Sequence, residues 1–252
     1  MYPPTAIINK CLLPEFLKED LLLYSVMPKS PLAVKTWSTL IHLYESLYDT
    51  IQSGRYNLSL SCKQFYRDEF IIDNEDDQFL RSQFLNSALM HYNSAFDVTI
   101  ECIWIGFGLY RYIKNEGVLS LNTRKETEHV LSLCTYKRIS SLSNLLDASL
   151  YKELKSLRDI HQKTASWTNN LKHRGNLVYE EYFDETIHVT TVSNDGNEIF
   201  DSSKVQSQVT IDKVVESLLI YHTSLINFVK HLDDYYKERI LKTAEKSIND
   251  QT

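Results

Sequence analysis

The chain has 252 residues, 43% apolar and 24% charged, with a formal net charge of −6. This is ordinary globular composition with ample length for a core; it argues against disorder over most of the chain and against general coating of nucleic acid. All five prolines (Pro3, Pro4, Pro14, Pro28, Pro31) fall in the first 31 residues, and there are only six glycines, so later helices meet no proline and tight turns are few.

Residues 1–30 read as an irregular segment, with a short helix over Pro14–Val26. Pro31 suits a first helical position with Ser30 as its cap. The helix it opens runs to about Ser53, on apolar positions that include Trp37, Leu40, Tyr44, Leu47 and Ile51, and stops at Gly54. Arg55–Asn74 has no clear period. Asp76 or Asp77 caps the next and longest helix, which reaches about Lys114 and ends at Gly117. A third helical stretch spans about Thr123–Leu146 and a fourth about Ser149–His173. Alternation over Thr186–Val192 and Glu198–Phe200 around Asn194-Asp195-Gly196-Asn197 signals a β-hairpin. A last long helix starts near Thr210, on Ile211, Val214, Leu218, Leu225 and Leu232, and frays after about Lys242. The expected class is all-α: an up-and-down bundle of long helices with a small hairpin insertion near 186–201, residues 31–245 forming one domain.

The four cysteines, Cys11, Cys62, Cys102 and Cys134, are widely spaced with no Cys-x-x-Cys pair, a pattern of isolated thiols in a reducing compartment. The N-terminal MYPPTAIINKCLL lacks the charged start of a signal peptide. The most apolar run, Val98–Leu109, contains Glu101 and is too short to cross a bilayer. A cytoplasmic protein with no membrane partner is expected.

Charge is unevenly spread. Ser120–Asn176 holds ten Lys/Arg against five Asp/Glu, whereas Leu177–Asp201 holds seven acidic residues and no Lys or Arg. A locally basic face can steer an anion; it can equally be a solvated helix surface.

No phosphate loop, Gly-x-Gly-x-x-Gly, His-Glu-x-x-His or Gly-x-Ser-x-Gly occurs, so no cofactor or metal is implied. Gly106 and Gly108 sit inside an apolar helix, where they allow close packing. Two polar clusters remain. Asn86, Asn93 and Asp97 share a face of the longest helix, either as a hydrogen-bonded network between helices or, for Asn93 and Asp97, as the lining of a site. The second cluster is Asn169-Asn170-Leu171-Lys172-His173-Arg174. Asn169 and His173 are four apart and face the same way, so the amide can orient an imidazole able to move protons near neutral pH. Lys172 and Arg174 flank it with charge suited to phosphate. A basic helix C-terminus that complements the dipole is the alternative.

The stretch TNNLKHRG resembles the signature region of HEPN domains, and LNSALMHYNSAFDVTIECIWIGFGLY, with Asn86, Asn93 and Asp97, resembles their long core helix. The likeness covers about Asp76–Phe183 and the last helix, and suggests a larger prokaryotic HEPN subfamily. It implies a helical bundle, often homodimeric, found in defence, toxin–antitoxin and RNA-processing proteins. That family's ribonuclease motif is Arg, four to six residues, then His. His173 matches the His and Asn169 the polar position, while the Arg position falls at Thr168, or at Trp167 or Ser166 with longer spacing. On this resemblance His173, Asn169 and Arg174 are the catalytic candidates, and Lys172, Asn170, Asn93 and Asp97 the substrate-binding ones. The implied function is RNA binding or metal-independent endoribonuclease activity, with RNA, a second copy and an antitoxin or other protein as partners. The alternative is a non-catalytic helical module that binds a protein partner.

Overall fold

The computed structural model describes residues 31–62, 74–113, 117, 119–174, 177–179, 190–192, 198–201 and 208–249. The N-terminal segment expected to be irregular, and the hairpin turn at Asn194–Asn197, lie outside the described residues. Among them are six α-helices: α1 (Pro31–Ser61), α2 (Asn74–Gly106), α3 (Arg124–Ser132), α4 (Tyr136–Ser141), α5 (Ala148–Arg174) and α6 (Ile211–Asn249). Four short strands join them: β1 (Val178–Tyr179), β2 (Thr190–Val192), β3 (Glu198–Asp201) and β4 (Gln208–Val209). The described chain is therefore mostly helical. No described helix is long and apolar enough to cross a membrane.

Each long helix buries a stripe with alternating spacings of three and four, the pattern that keeps one face on a core. In α1 the stripe is Leu40, Tyr44, Leu47, Ile51, Gly54, Leu58 and Ser61. Gly54 was expected to end this helix. It is instead a core position, where a Cβ would press on the Tyr92 ring at 3.2 Å, and the helix runs on to Ser61. The glycine penalty of about 1 kcal/mol is offset because Leu58 and Ser61 are buried beyond it.

The end of α2 also differs from expectation. The helix stops at Gly106, and Gly108 takes a left-handed conformation (φ 66°) before a 3₁₀ turn over Leu109–Tyr112. Gly117 too has positive φ, but it follows the break rather than making it. The expected third helix is two: Thr123 and Glu126 form a reciprocal capping box at the start of α3, and Thr135 caps α4 afresh. The fourth was expected over 149–173 and spans 148–174.

The chain falls into two compact units. Of the described residues, the first holds those within 53–93 and 160–221; the second holds those within 31–52, 94–159 and 222–249. In the first unit, rings of Tyr92 and Tyr221 meet edge to face at 5.9 Å, and Arg81 Nε donates to Ser61 O at 2.7 Å, capping the last carbonyls of α1 from inside the core. β1 pairs in parallel with β4, which ties the exit of α5 to the entry of α6, and β2 runs antiparallel to β3. In the second unit, Trp104 Nε1 donates to Val130 O at 2.9 Å, holding α3 on α2. Tyr236 OH donates to Cys102 O at 2.7 Å, and its ring lies against Tyr44 and Phe107.

Candidate functional site

α5 is 27 residues long, and its buried stripe is Leu150, Leu154, Leu157, His161, Thr164 and Thr168. The first three are aliphatic and the last three polar, so the core face of α5 changes chemistry as it enters the first unit. Each polar group there is bonded, as burial requires. His161 Nε2 lies 3.2 Å from Asn93 Oδ1. A carboxamide oxygen can only accept, so Nε2 is the protonated nitrogen. The His161 ring also packs on Tyr221 at 5.5 Å. Thr168 Oγ1 donates to Thr164 O at 3.1 Å and to Leu89 O at 3.4 Å.

Thr168 is the position at which the resemblance, at its shortest spacing, would place a catalytic arginine; longer spacings fall on the half-buried Trp167 and the exposed Ser166. Thr168 itself is 0% exposed. The residues after it are different. Asn169, Lys172 and His173 are exposed, Asn170 and Leu171 are half-buried, and Arg174 closes the helix, its side chain lying outside the described part. On a 100° per residue wheel Lys172, Asn169 and His173 share one flank of α5. The last turn therefore presents an imidazole, an amide and an ammonium to solvent.

The Asn86–Asn93–Asp97 stripe does not act as one group. Asn86 accepts from the buried Tyr179 OH at 2.7 Å, so β1 anchors it. Asn93 is engaged with His161. Asp97 is exposed and belongs to the second unit. For Asn86 and Asn93 the arrangement is a hydrogen-bonded network between elements.

Sequence reasoning passed over a concavity beside the end of α5. It is a shallow groove of about 340 Å³ within the first unit, lined by Gln83, Asn86, Ser87 and His91 of α2 and Lys172 of α5, with Met90 and Leu171 as its apolar part. The α2 residues follow the spacing i, i+3, i+4, i+7, i+8, which is one helix face. That spacing was the available signal. It was masked because the same helix carries its apolar stripe one step round.

In the second unit, the Glu101 carboxyl is pushed up to about 7, first by burial and then by the Asp97 carboxylate one turn away. Burial also pushes up the Cys134 and Cys102 thiols, and Glu101 adds to both shifts. Cys62, Cys102 and Cys134 are free thiols. Among the described residues no group of three His, Cys, Asp or Glu side chains is arranged to hold a metal ion.

Comparison with protein-family models, curated proteins and solved structures returns no match. The functional reading therefore rests on the residues themselves.

Proposed function

We propose that the chain is a HEPN-like helical protein that binds RNA at the exposed end of α5 and cleaves it without a metal. The fold that goes with this reading is an up-and-down bundle of the long helices with a β-hairpin inserted between α5 and α6, in a cytoplasmic protein. One observation carries it. Asn169, Lys172 and His173 face solvent together on one flank, although the stripe that precedes them is buried. His161 and Asn93, by contrast, are engaged with each other within the first unit.

In this reading His173 takes the proton of a ribose 2′-hydroxyl, and Asn169, one turn before it, orients the imidazole. The oxygen so formed attacks the neighbouring phosphorus, giving a 2′,3′-cyclic phosphate. The 5′-oxygen leaves and takes a proton from water. Lys172 and Arg174 hold the phosphate, with Asn170 beside them. Two copies meeting at this end of α5 would double that charge, so a homodimer belongs to the proposal, as does an antitoxin-like protein partner covering the site.

A non-catalytic module that binds a protein partner is the second reading. It is favoured by Ser166, Trp167 and Thr168, none of them basic, which stand where the family's arginine would fall, Thr168 being buried as well.

The test is salt-dependent binding of a single-stranded oligoribonucleotide. Affinity should fall steeply with salt, and Lys172→Ala should make the log–log slope shallower by about 0.7, the value for one phosphate contact on a single strand. Affinity indifferent to both salt and Lys172→Ala would contradict the proposal.

A further inference from the structure

We infer that the groove formed by Gln83, Asn86, Ser87, His91 and Lys172 is a phosphate-anchored site for one ribonucleotide unit, with Lys172 and His91 holding the phosphate from two helices. The identity of the ligand as part of an RNA strand rests on the function proposed above; the groove itself rests on its lining.

Charge is the first argument. The protein carries a net −6, yet among the described residues no carboxylate lines this groove, which holds one ammonium and one imidazole. Among the described residues no carboxylate pairs with Lys172. The comparable hollow of the second unit, bounded by His42, Arg124 and Glu128, is different: there Glu128 already engages the Arg124 guanidinium at 2.7 Å. Its cation is internally paired, whereas no described carboxylate engages Lys172.

Preorganisation is the second. Asn86 Oδ1 is taken by the Tyr179 hydroxyl, and Tyr179 is buried. The amide is therefore held in one orientation, and its two N–H donors remain for a ligand oxygen. Gln83 and Ser87, a turn away on the same face, add donors and acceptors suited to a ribose hydroxyl or a base edge. Met90 and Leu171 supply the apolar surface on which a base can lie.

Size is the third. A volume of about 340 Å³ is at the small end of ligand pockets, which span roughly 300–1,000 Å³. That is room for one nucleotide.

Two measurements on the full chain test the inference. In the first, histidine ring resonances are followed by NMR while inorganic phosphate, uridine 3′-monophosphate or uridine is added, His91→Gln supplying the assignment. Both phosphate compounds should move the His91 signal, the monophosphate at lower concentration. Uridine should leave it in place, and His42 should not move with any of them. A stationary His91 signal, or one moved equally by uridine, overturns the site. In the second, affinity for an oligoribonucleotide is measured for His91→Gln and Lys172→Ala, each checked for an unchanged melting midpoint. Each should lose about tenfold, equivalent to about 1.4 kcal/mol. If RNA binds and His91→Gln is without effect, the groove is refuted while the α5 surface stands. If RNA does not bind but the monophosphate still moves His91, the groove stands as a nucleotide site and the RNA reading falls.

Discussion

Thr168→Arg restores the family's motif on paper, and it should wreck the fold instead of creating a nuclease. Thr168 is 0% exposed, and its hydroxyl is spent on Thr164 O at 3.1 Å and Leu89 O at 3.4 Å. An arginine there must either bury a guanidinium or force α5 away from α2. An uncompensated buried charge costs about 3–5 kcal/mol, and overpacking of a close-packed site about 1–3 kcal/mol more. Even the lower bound of about 4 kcal/mol, at about 2–4 °C per kcal/mol for a chain of this size, lowers the midpoint by roughly 8–16 °C. Thr168→Val keeps the shape and loses only the hydroxyl, so it should cost about 1 kcal/mol, roughly 2–4 °C. Thermal melting followed by circular dichroism separates the two. A Thr168→Arg protein that melts with the wild type, and above all one that gains cleavage, would refute the reasoning. The side chain would then have reached solvent at a position placed in the core.

Two further predictions concern the second unit. Glu101 has its folded-state pKa raised from 4.5 to about 7, so its protonated form is favoured by folding and stability falls as pH rises through that window. At about 1.4 kcal/mol per pH unit the ceiling is about 3 kcal/mol, but Glu101 is only half-buried and solvent screening leaves about 1 kcal/mol. Glu101→Gln should therefore match the wild type in urea titrations at pH 4 and exceed it by that amount at pH 8; an equal gain at both would contradict the assignment. At Gly106 an added Cβ would overlap the Tyr236 ring, which is held by its hydroxyl bond to Cys102 O. Gly106→Ala should cost about 1–3 kcal/mol despite the better helix propensity of alanine, and a stabilised variant would show the ring to be loosely held.

Helix positions were largely legible because the three-and-four spacing of the buried stripes is written in the residues. α5 was bounded to within one residue at each end, its polar exterior leaving one possible core face. Two of the failures share a cause: identity was read where position decided. Gly54 looked like a stop, yet it occupies the stripe between Ile51 and Leu58, and tertiary packing overrides its propensity. His161 was passed over as one more polar residue, although it sits seven after Leu154 and seven before Thr168 on the buried line. The break between α3 and α4 was missed because their apolar residues keep a helical period across it, while the capping hydroxyls of Thr123 and Thr135 set the actual starts. At the site, the exposed face of Asn169, Lys172 and His173 was readable from local spacing. That Lys172 and His91 line one groove was not, since they lie 81 positions apart in the chain.

The most direct test of the account is His173→Ala, assayed in parallel for RNA cleavage and for stability. His173 is exposed at the end of α5, so its removal should cost no more than about 0.5 kcal/mol, as for surface positions generally. The account predicts an unchanged melting curve together with loss of the 2′,3′-cyclic phosphate product. It would be contradicted by a protein that melts early by the 1–3 kcal/mol expected of a lost buried partner, or by one that cleaves RNA as well as the wild type.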